Sequence, residues 1–156
     1  MRLNPFRSLL VTLGYLATGR LCFRRELVGK RLTLPDGRQY VIFRHVVVEA
    51  GPGTPGPGAT FIVQFHLAGM SVAQNIRFSL IPIPFFVGLP GFRSKLWSYC
   101  PETGDFAGIY EWSTVQDAEN YAASFAVRFM TRRSVPGSVR FEILPGDRRS
   151  ALSAIS

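Results

Sequence analysis

Cysteine is nearly absent. Cys22 and Cys100 are the only two in 156 residues, too few for a disulfide-built scaffold. Charged residues are sparse at 18% while hydrophobic residues make up 47%, which excludes a chain disordered throughout. No uncharged apolar run approaches the ~20 residues of a membrane-spanning helix, so a polytopic membrane protein is excluded. No His/Cys/Asp/Glu cluster has metal-ligand spacing, and no metal is expected. There is no phosphate loop or dinucleotide fingerprint, because Gly51–Gly58 is broken by prolines and no helix follows it. No Gly-x-Ser-x-Gly elbow is present either. The length suits one domain with a real core, not two full domains.

Acidic residues are also scarce, ten against eighteen Lys and Arg, for a net charge of +8. Such a balance raises the question of nucleic acid, and the position of the charge answers it. Residues 1–31 hold Arg2, Arg7, Arg20, Arg24, Arg25, Lys30 and Arg31 against Glu26, a net +6, whereas residues 58–144 carry only +1. A nucleic-acid module spreads its cations over the folded face that meets the phosphates, so no nucleic-acid partner is expected.

The chain divides by composition. Residues 1–50 form an N-terminal extension. Within it, Phe6, Leu9, Leu10, Leu13, Leu16 and Ala17 recur at helical spacing. A hairpin follows, turning at Pro35-Asp36-Gly37, where Pro presets φ and Gly accepts a positive one. Residues 51–58, four glycines and three prolines among eight, read as a linker or long loop. Residues 59–145 form the main domain, and 146–156 a small, polar, flexible tail.

The main domain has a readable order. Thr60–Leu67 alternates as a strand, with Phe61, Val63, Phe65 and Leu67 on one face and Gln64 and His66 on the other. Ser71-Val72-Ala73-Gln74 is a capping box opening a helix that Pro82 and Pro84 stop. Phe92–Tyr99 and Phe106–Trp112 are strands around a turn. Ser113-Thr114-Val115-Gln116 has the form of a second capping box, and a stripe from Ala118 to Phe129 makes a four-turn helix. Val139, Phe141 and Ile143 close the domain as a last strand. The order β-α-β-β-α-β is an α+β, ferredoxin-like arrangement. Both helices lie on one face of its sheet, and the strands are apolar on both faces. The other face therefore needs cover, most simply from a second copy of the chain.

The run Lys95-Leu96-Trp97-Ser98-Tyr99, then Pro101-Glu102-Thr103-Gly104, then Ala107-Gly108-Ile109-Tyr110, resembles the centre of the YdhR-like monooxygenases. These belong to the dimeric α+β barrel group that also holds the antibiotic-biosynthesis monooxygenases. The resemblance spans about residues 59–145 and does not extend to residues 1–50. It implies a homodimer, a pocket between sheet and helices, and oxygenation without metal or flavin, so no cofactor is expected. In such chemistry the substrate carbanion itself reduces O₂, and the protein deprotonates, orients and stabilises negative charge.

Candidate residues follow. Lys95, Trp97 and Tyr99 share a strand face by period two, with Arg93 beside them. Lys95 and Tyr99 could stabilise negative charge and Trp97 could form a wall, or Trp97 is core and Lys95 snorkels to solvent. Tyr110 either offers a polar tip to a cavity there or packs with its hydroxyl bonded to a neighbour. His66 is the general-base candidate, with Gln64 beside it and His45 a weaker claimant in the extension. The uncharged, proline-rich Ile81–Pro90, with Phe85 and Phe86, is a pocket lid, a dimer contact, a membrane-touching loop or a segment folded onto its own core. The expected ligand is a lipophilic small molecule, polyketide-, quinone- or terpenoid-like, to be oxygenated. The rival reading is a non-catalytic homodimer holding such a ligand at a membrane surface. Residues 1–28 read as a secretory signal, an interfacial helix at a membrane surface, or a structural element packed on the domain. The expected location is cytoplasmic, peripheral to the inner membrane face if the interfacial reading holds.

Overall fold

The computed structural model describes residues 3–152 and Ile155. Arg2 of the basic arm and Ser153, Ala154 and Ser156 of the tail lie outside the described residues. Four neighbouring strands form one end of a single antiparallel sheet: β4 (Ala59–Phe65), β5 (Phe92–Tyr99), β6 (Phe106–Trp112) and β7 (Arg140–Pro145). Their spatial order is β5-β6-β4-β7, the ferredoxin-like arrangement expected from β-α-β-β-α-β. The first crossover carries α2 (Val72–Phe78) and α3 (Ile83–Phe86), the second α4 (Val115–Ala122) and α5 (Phe125–Arg133). Ser71 caps α2 with its hydroxyl on the Gln74 amide, and the Gln74 side chain returns to the Ser71 amide. Two local details differ from expectation. The second crossover helix starts one residue later, at Thr114 capping Asp117. It also breaks at Ser124, so the continuous apolar stripe is shared by two helices.

The extension joins the same sheet. Helix α1 (Pro5–Ala17) precedes β1 (Leu21–Arg24), β2 (Arg31–Thr33) and β3 (Gln39–Val48). β3 pairs with β5 along one edge, and with both β2 and β1 along its other. The loop 51–58 is tied back where Arg93 donates to the Pro55 carbonyl (2.7 Å).

The two sheet faces carry separate cores. Facing the helices are Phe61, Val63, Trp97, Tyr110 and Trp112, with Phe86, Tyr121 and Val127 from the helices. On the opposite face, Ile62, Leu96 and Ile109 pack with Leu32, Leu34, Tyr40 and Leu152. The cover expected from a second copy is therefore supplied from within. β2 and β3 curl over the face, and the C-terminal residues fold back beside them through α6 (Arg148–Ala151), with Ile155 bridged to Leu32. In the stretch expected as a flexible tail, Leu152 is buried and Arg148 is held by Glu111, while Arg149 and Ser150 are exposed. Each large aliphatic side chain so buried is worth about 1.5–3 kcal/mol, which is why a hairpin and a short helix suffice to hold there. Among the described residues no helix is long and apolar enough to cross a membrane.

Candidate active site

Period-two alternation puts Lys95 and Trp97 of β5 on the helix-facing side, and the ladder sets Lys95 opposite Tyr110 and Trp97 opposite Gly108 on β6. Lys95 is buried, 7% exposed. Its Nζ donates to the Tyr110 hydroxyl (2.5 Å), which also accepts from the Tyr121 hydroxyl of α4 (2.8 Å). The same nitrogen lies 4.2 Å from the centre of the Trp97 ring, 4.3 Å from Tyr110 and 4.6 Å from Phe86. Gly108 makes this approach possible, since a Cβ there would stand 2.9 Å from the Tyr110 ring and 3.3 Å from Lys95 Cε.

Among the described residues no carboxylate balances the amine. Burial pushes the Lys95 pKa well below the ordinary lysine value, and the Arg44 guanidinium adds to that push. The three rings oppose it through cation–π attraction, each worth about 1–2 kcal/mol. Burial likewise raises Tyr110 and Tyr121, so both stay protonated. The triad is thus an amine whose pKa is lowered by burial beside two phenols that hold their protons.

A cleft opens over the triad between the sheet and α2, α3 and α5. Phe43, Phe65, Phe78, Phe106, Phe129 and Met130 form most of its apolar wall. Its depth holds only about 70 Å³ of water-sized space, and the whole cleft with its open mouth is about 670 Å³. Among the described residues no Asp or Glu lines it, whereas Arg133 does and Arg44 stands against the Trp97 ring. Arg44 donates to Ser79 Oγ (2.6 Å) and the Ile76 carbonyl (3.0 Å) while facing Trp97 at 5.4 Å. Arg133 lies over Phe78 at 4.4 Å.

Of the candidates read from the sequence, Lys95, Trp97, Tyr110 and Phe86 meet in this cleft. Tyr99 sits at its margin, its ring 6.3 Å from Phe43 and 6.4 Å from Phe106. Phe85 turns away, into a neighbouring surface groove. Arg93 is displaced by a bulge. Phe92 pairs with Trp112 and Ser94 with Glu111, so Arg93 is the extra residue and leaves the Lys95 face for Ser113 and Pro55.

His66 and Gln64 lie elsewhere, because alternation on β4 sends them to the other side of the sheet from Phe65. His66 Nδ1 is 2.9 Å from Asp105 Oδ1, and Asp105 Oδ2 accepts from Arg38 (2.7 Å). Gln64 donates to Asp36 (2.8 Å) and to the Tyr40 hydroxyl (3.1 Å). Burial works to raise Asp105, but hydrogen bonds from Arg38, His66 and Thr103 hold it below the ordinary carboxylate value. This is a surface charge network, not a base for the cleft. Conversely, the sequence pattern does not mark Tyr121 or Arg44 for this site. Tyr121 lay inside a helical stripe that reads as core, and Arg44 lay in an extension strand whose pairing with β5 is a long-range fact.

No family model matches the sequence, and no curated protein matches it. Solved structures do match the fold. A ferredoxin-fold protein of Listeria monocytogenes related to antibiotic biosynthesis monooxygenases superposes with a TM-score of 0.54 at 14% identity, over 71% of this chain and 66% of that one. A heme-degrading enzyme of Listeria monocytogenes gives 0.51 at 13%, over 79% and 95%. A monooxygenase-like protein of Listeria innocua gives 0.51 at 13%, over 70% and 64%. The chain shares their ferredoxin-like fold. It spans just under two thirds of the length of the first and the last of these. The chain's two histidines, His45 and His66, both lie outside the cleft, so no imidazole stands there to ligate a heme iron.

Proposed function

We propose that the chain is a monooxygenase-like enzyme that oxidises a lipophilic, weakly acidic small molecule with O₂ and without a cofactor. The observation that carries this reading is the Lys95–Tyr110–Tyr121 triad at the base of an apolar cleft that has Arg133 on its wall and no carboxylate among its described residues. The fold shared with monooxygenase-related proteins supports it, as does the strand–Glu-Thr-Gly–strand hairpin that resembles the YdhR-like branch. The substrate class is a conjugated phenol or enol of polyketide, quinone or terpenoid type.

The chemistry assigns each group one task. The neutral amine of Lys95 takes a proton from the activated C–H of the substrate. The new ammonium and the Tyr110 O–H face the resulting enolate, and Arg133 on the wall adds positive charge. The carbanion gives one electron to O₂, and the radical pair combines as a peroxide. Proton return from Lys95 and loss of water leave a carbonyl. A CH₂ group and O₂ thereby become C=O and H₂O, the two C–H bonds supplying both hydrogens of the water.

Oxygen uptake with a panel of lipophilic phenols and quinols tests the reading. At least one compound should be consumed, and Lys95→Met should slow that turnover by about a hundredfold or more, as for loss of a general base. No uptake with any compound, while native mass spectrometry shows a retained apolar ligand, would establish a binding protein instead. An undiminished rate in Lys95→Met would remove the amine from the mechanism.

A further inference from the structure

Helix α1 packs on the domain with the opposite face from the one a soluble helix buries. Its inward side carries Ser8 and Thr12, both buried. Thr12 Oγ1 donates to the Pro84 carbonyl (2.8 Å), and a Cβ at Gly88 would collide with the Ser8 carbonyl. The close seating is therefore built from small residues on both sides. The outward side carries Phe6, Leu10, Leu13 and Leu16, exposed by 73, 70, 52 and 53%. Four large apolar side chains in solvent on one firmly held helix form a patch that soluble monomers rarely keep.

The patch continues. At the N-terminal end of α1, Pro5 lines a groove of about 520 Å³ with Ile81, Phe85, Phe125 and Phe129. Pro82, Ala126 and Phe129 line both this groove and the cleft above Lys95, so the apolar surface leads to the candidate active site. Its charge is of one sign. Arg128 and Arg132 line the groove, and Arg7 is exposed on α1. Among the described residues none of the three is in an ion pair. Helix α1, the segment 79–89 and α5 contain no Asp or Glu at all.

We infer that this face docks in the plane of an anionic lipid bilayer. Phe6, Leu10, Leu13 and Leu16 enter the acyl boundary, and Arg7, Arg128 and Arg132 meet the headgroups. A lipophilic ligand leaving the bilayer then reaches the cleft along the groove without crossing water. A partner protein or second copy would need acidic groups opposite these arginines. Helix α1 and the lining of the groove carry no acidic group of their own to meet these arginines in a second copy, which favours lipid.

Co-sedimentation of the full chain with vesicles tests this without any substrate, and so independently of the catalytic reading. The chain should pellet with phosphatidylglycerol–phosphatidylcholine vesicles, and less with pure phosphatidylcholine or in roughly 0.5 M salt. Leu10→Ser with Leu13→Ser should lower the partition coefficient at least about tenfold, and Arg128→Gln with Arg132→Gln should erase most of the preference for anionic lipid. Both pairs are exposed and leave the Ser8–Thr12 seating intact, so an unchanged thermal transition confirms folding. A chain that stays in the supernatant, or serine variants that pellet like the parent, would overturn the proposal. So would a stable dimer that the serine pair dissociates, since the patch would then be a contact between copies.

Discussion

Lys95 is the residue on which the functional reading turns, and its protonation has a consequence for stability that can be measured without a substrate. In the unfolded chain a lysine titrates near pH 10.4. In the fold it titrates well below that, so between the two values the unfolded chain binds a proton that the folded chain does not. Stability from this group therefore rises with pH across that window, and is lowest below the folded value. Tyr110 and Tyr121 act in the opposite sense, but only above about pH 10, where the unfolded phenols begin to ionise. Urea denaturation between pH 7 and 9.5 should show the parent gaining stability relative to Lys95→Met by up to about 1.4 kcal/mol per pH unit. Parallel pH profiles for the two proteins would mean that the ring cage keeps the amine charged, and the general-base role would fall with it.

At the scale of elements, the C-terminal segment shows how a covered face is held. Glu111, 8% exposed, accepts from Ser94 (2.6 Å) and from both the backbone (3.1 Å) and the guanidinium (3.1 Å) of Arg148. The same guanidinium nitrogen is 3.3 Å from His45 Nε2. Burial, helped by Arg148, pushes the His45 pKa down to about 4. The unfolded imidazole titrates near 6.5, so this histidine costs stability as pH falls from 6.5 toward 4, by on the order of 2 kcal/mol. Glu111→Ala leaves the Arg148 charge without its partner. It should lower the unfolding free energy by about 3 kcal/mol and increase proteolysis after residue 146, read by limited digestion. Equal cleavage in parent and variant would show that the pair does not anchor α6. None of this was legible in the sequence, where Gly146–Ser156 reads as small and polar and gives no sign that Arg148 meets a glutamate 37 positions earlier. Local patterns were legible. Alternation placed Lys95 and Trp97 on one face, and the Ser71 box marked the start of α2. Alternation failed at Arg93, because a bulge adds a residue that no period-two count contains. It also cannot say that His66, correctly read as opposite Phe65, faces away from the cleft, since which face the helices cover is decided by packing.

For the whole molecule, the question is what the added strands do to association. A bare four-stranded sheet with helices on one side would expose Ile62, Leu96 and Ile109 on the other, and pairing two such sheets is the simplest way to bury them. In this chain all three are already at most 2% exposed within one copy, beneath Leu32, Leu34 and Leu152. Face-to-face pairing would first have to displace β2 and α6, forfeiting about 1.5–3 kcal/mol for each large side chain uncovered, before any contact between copies returned it. Among the described residues, the large apolar side chains left exposed to a second copy lie on the outer side of α1, inferred to meet lipid, and in the adjoining groove, with Phe23 on β1 and Phe141 on β7 besides. Sedimentation velocity of the full chain in detergent-free buffer at micromolar concentration should therefore give a single species of 17.4 kDa. A species of twice that mass unaffected by Leu10→Ser with Leu13→Ser would mean that the copies meet at the sheet after all. That would require the hairpin and the C-terminal segment to leave the face they cover here, and hydrogen exchange at Leu32 and Leu152 would then be fast rather than protected.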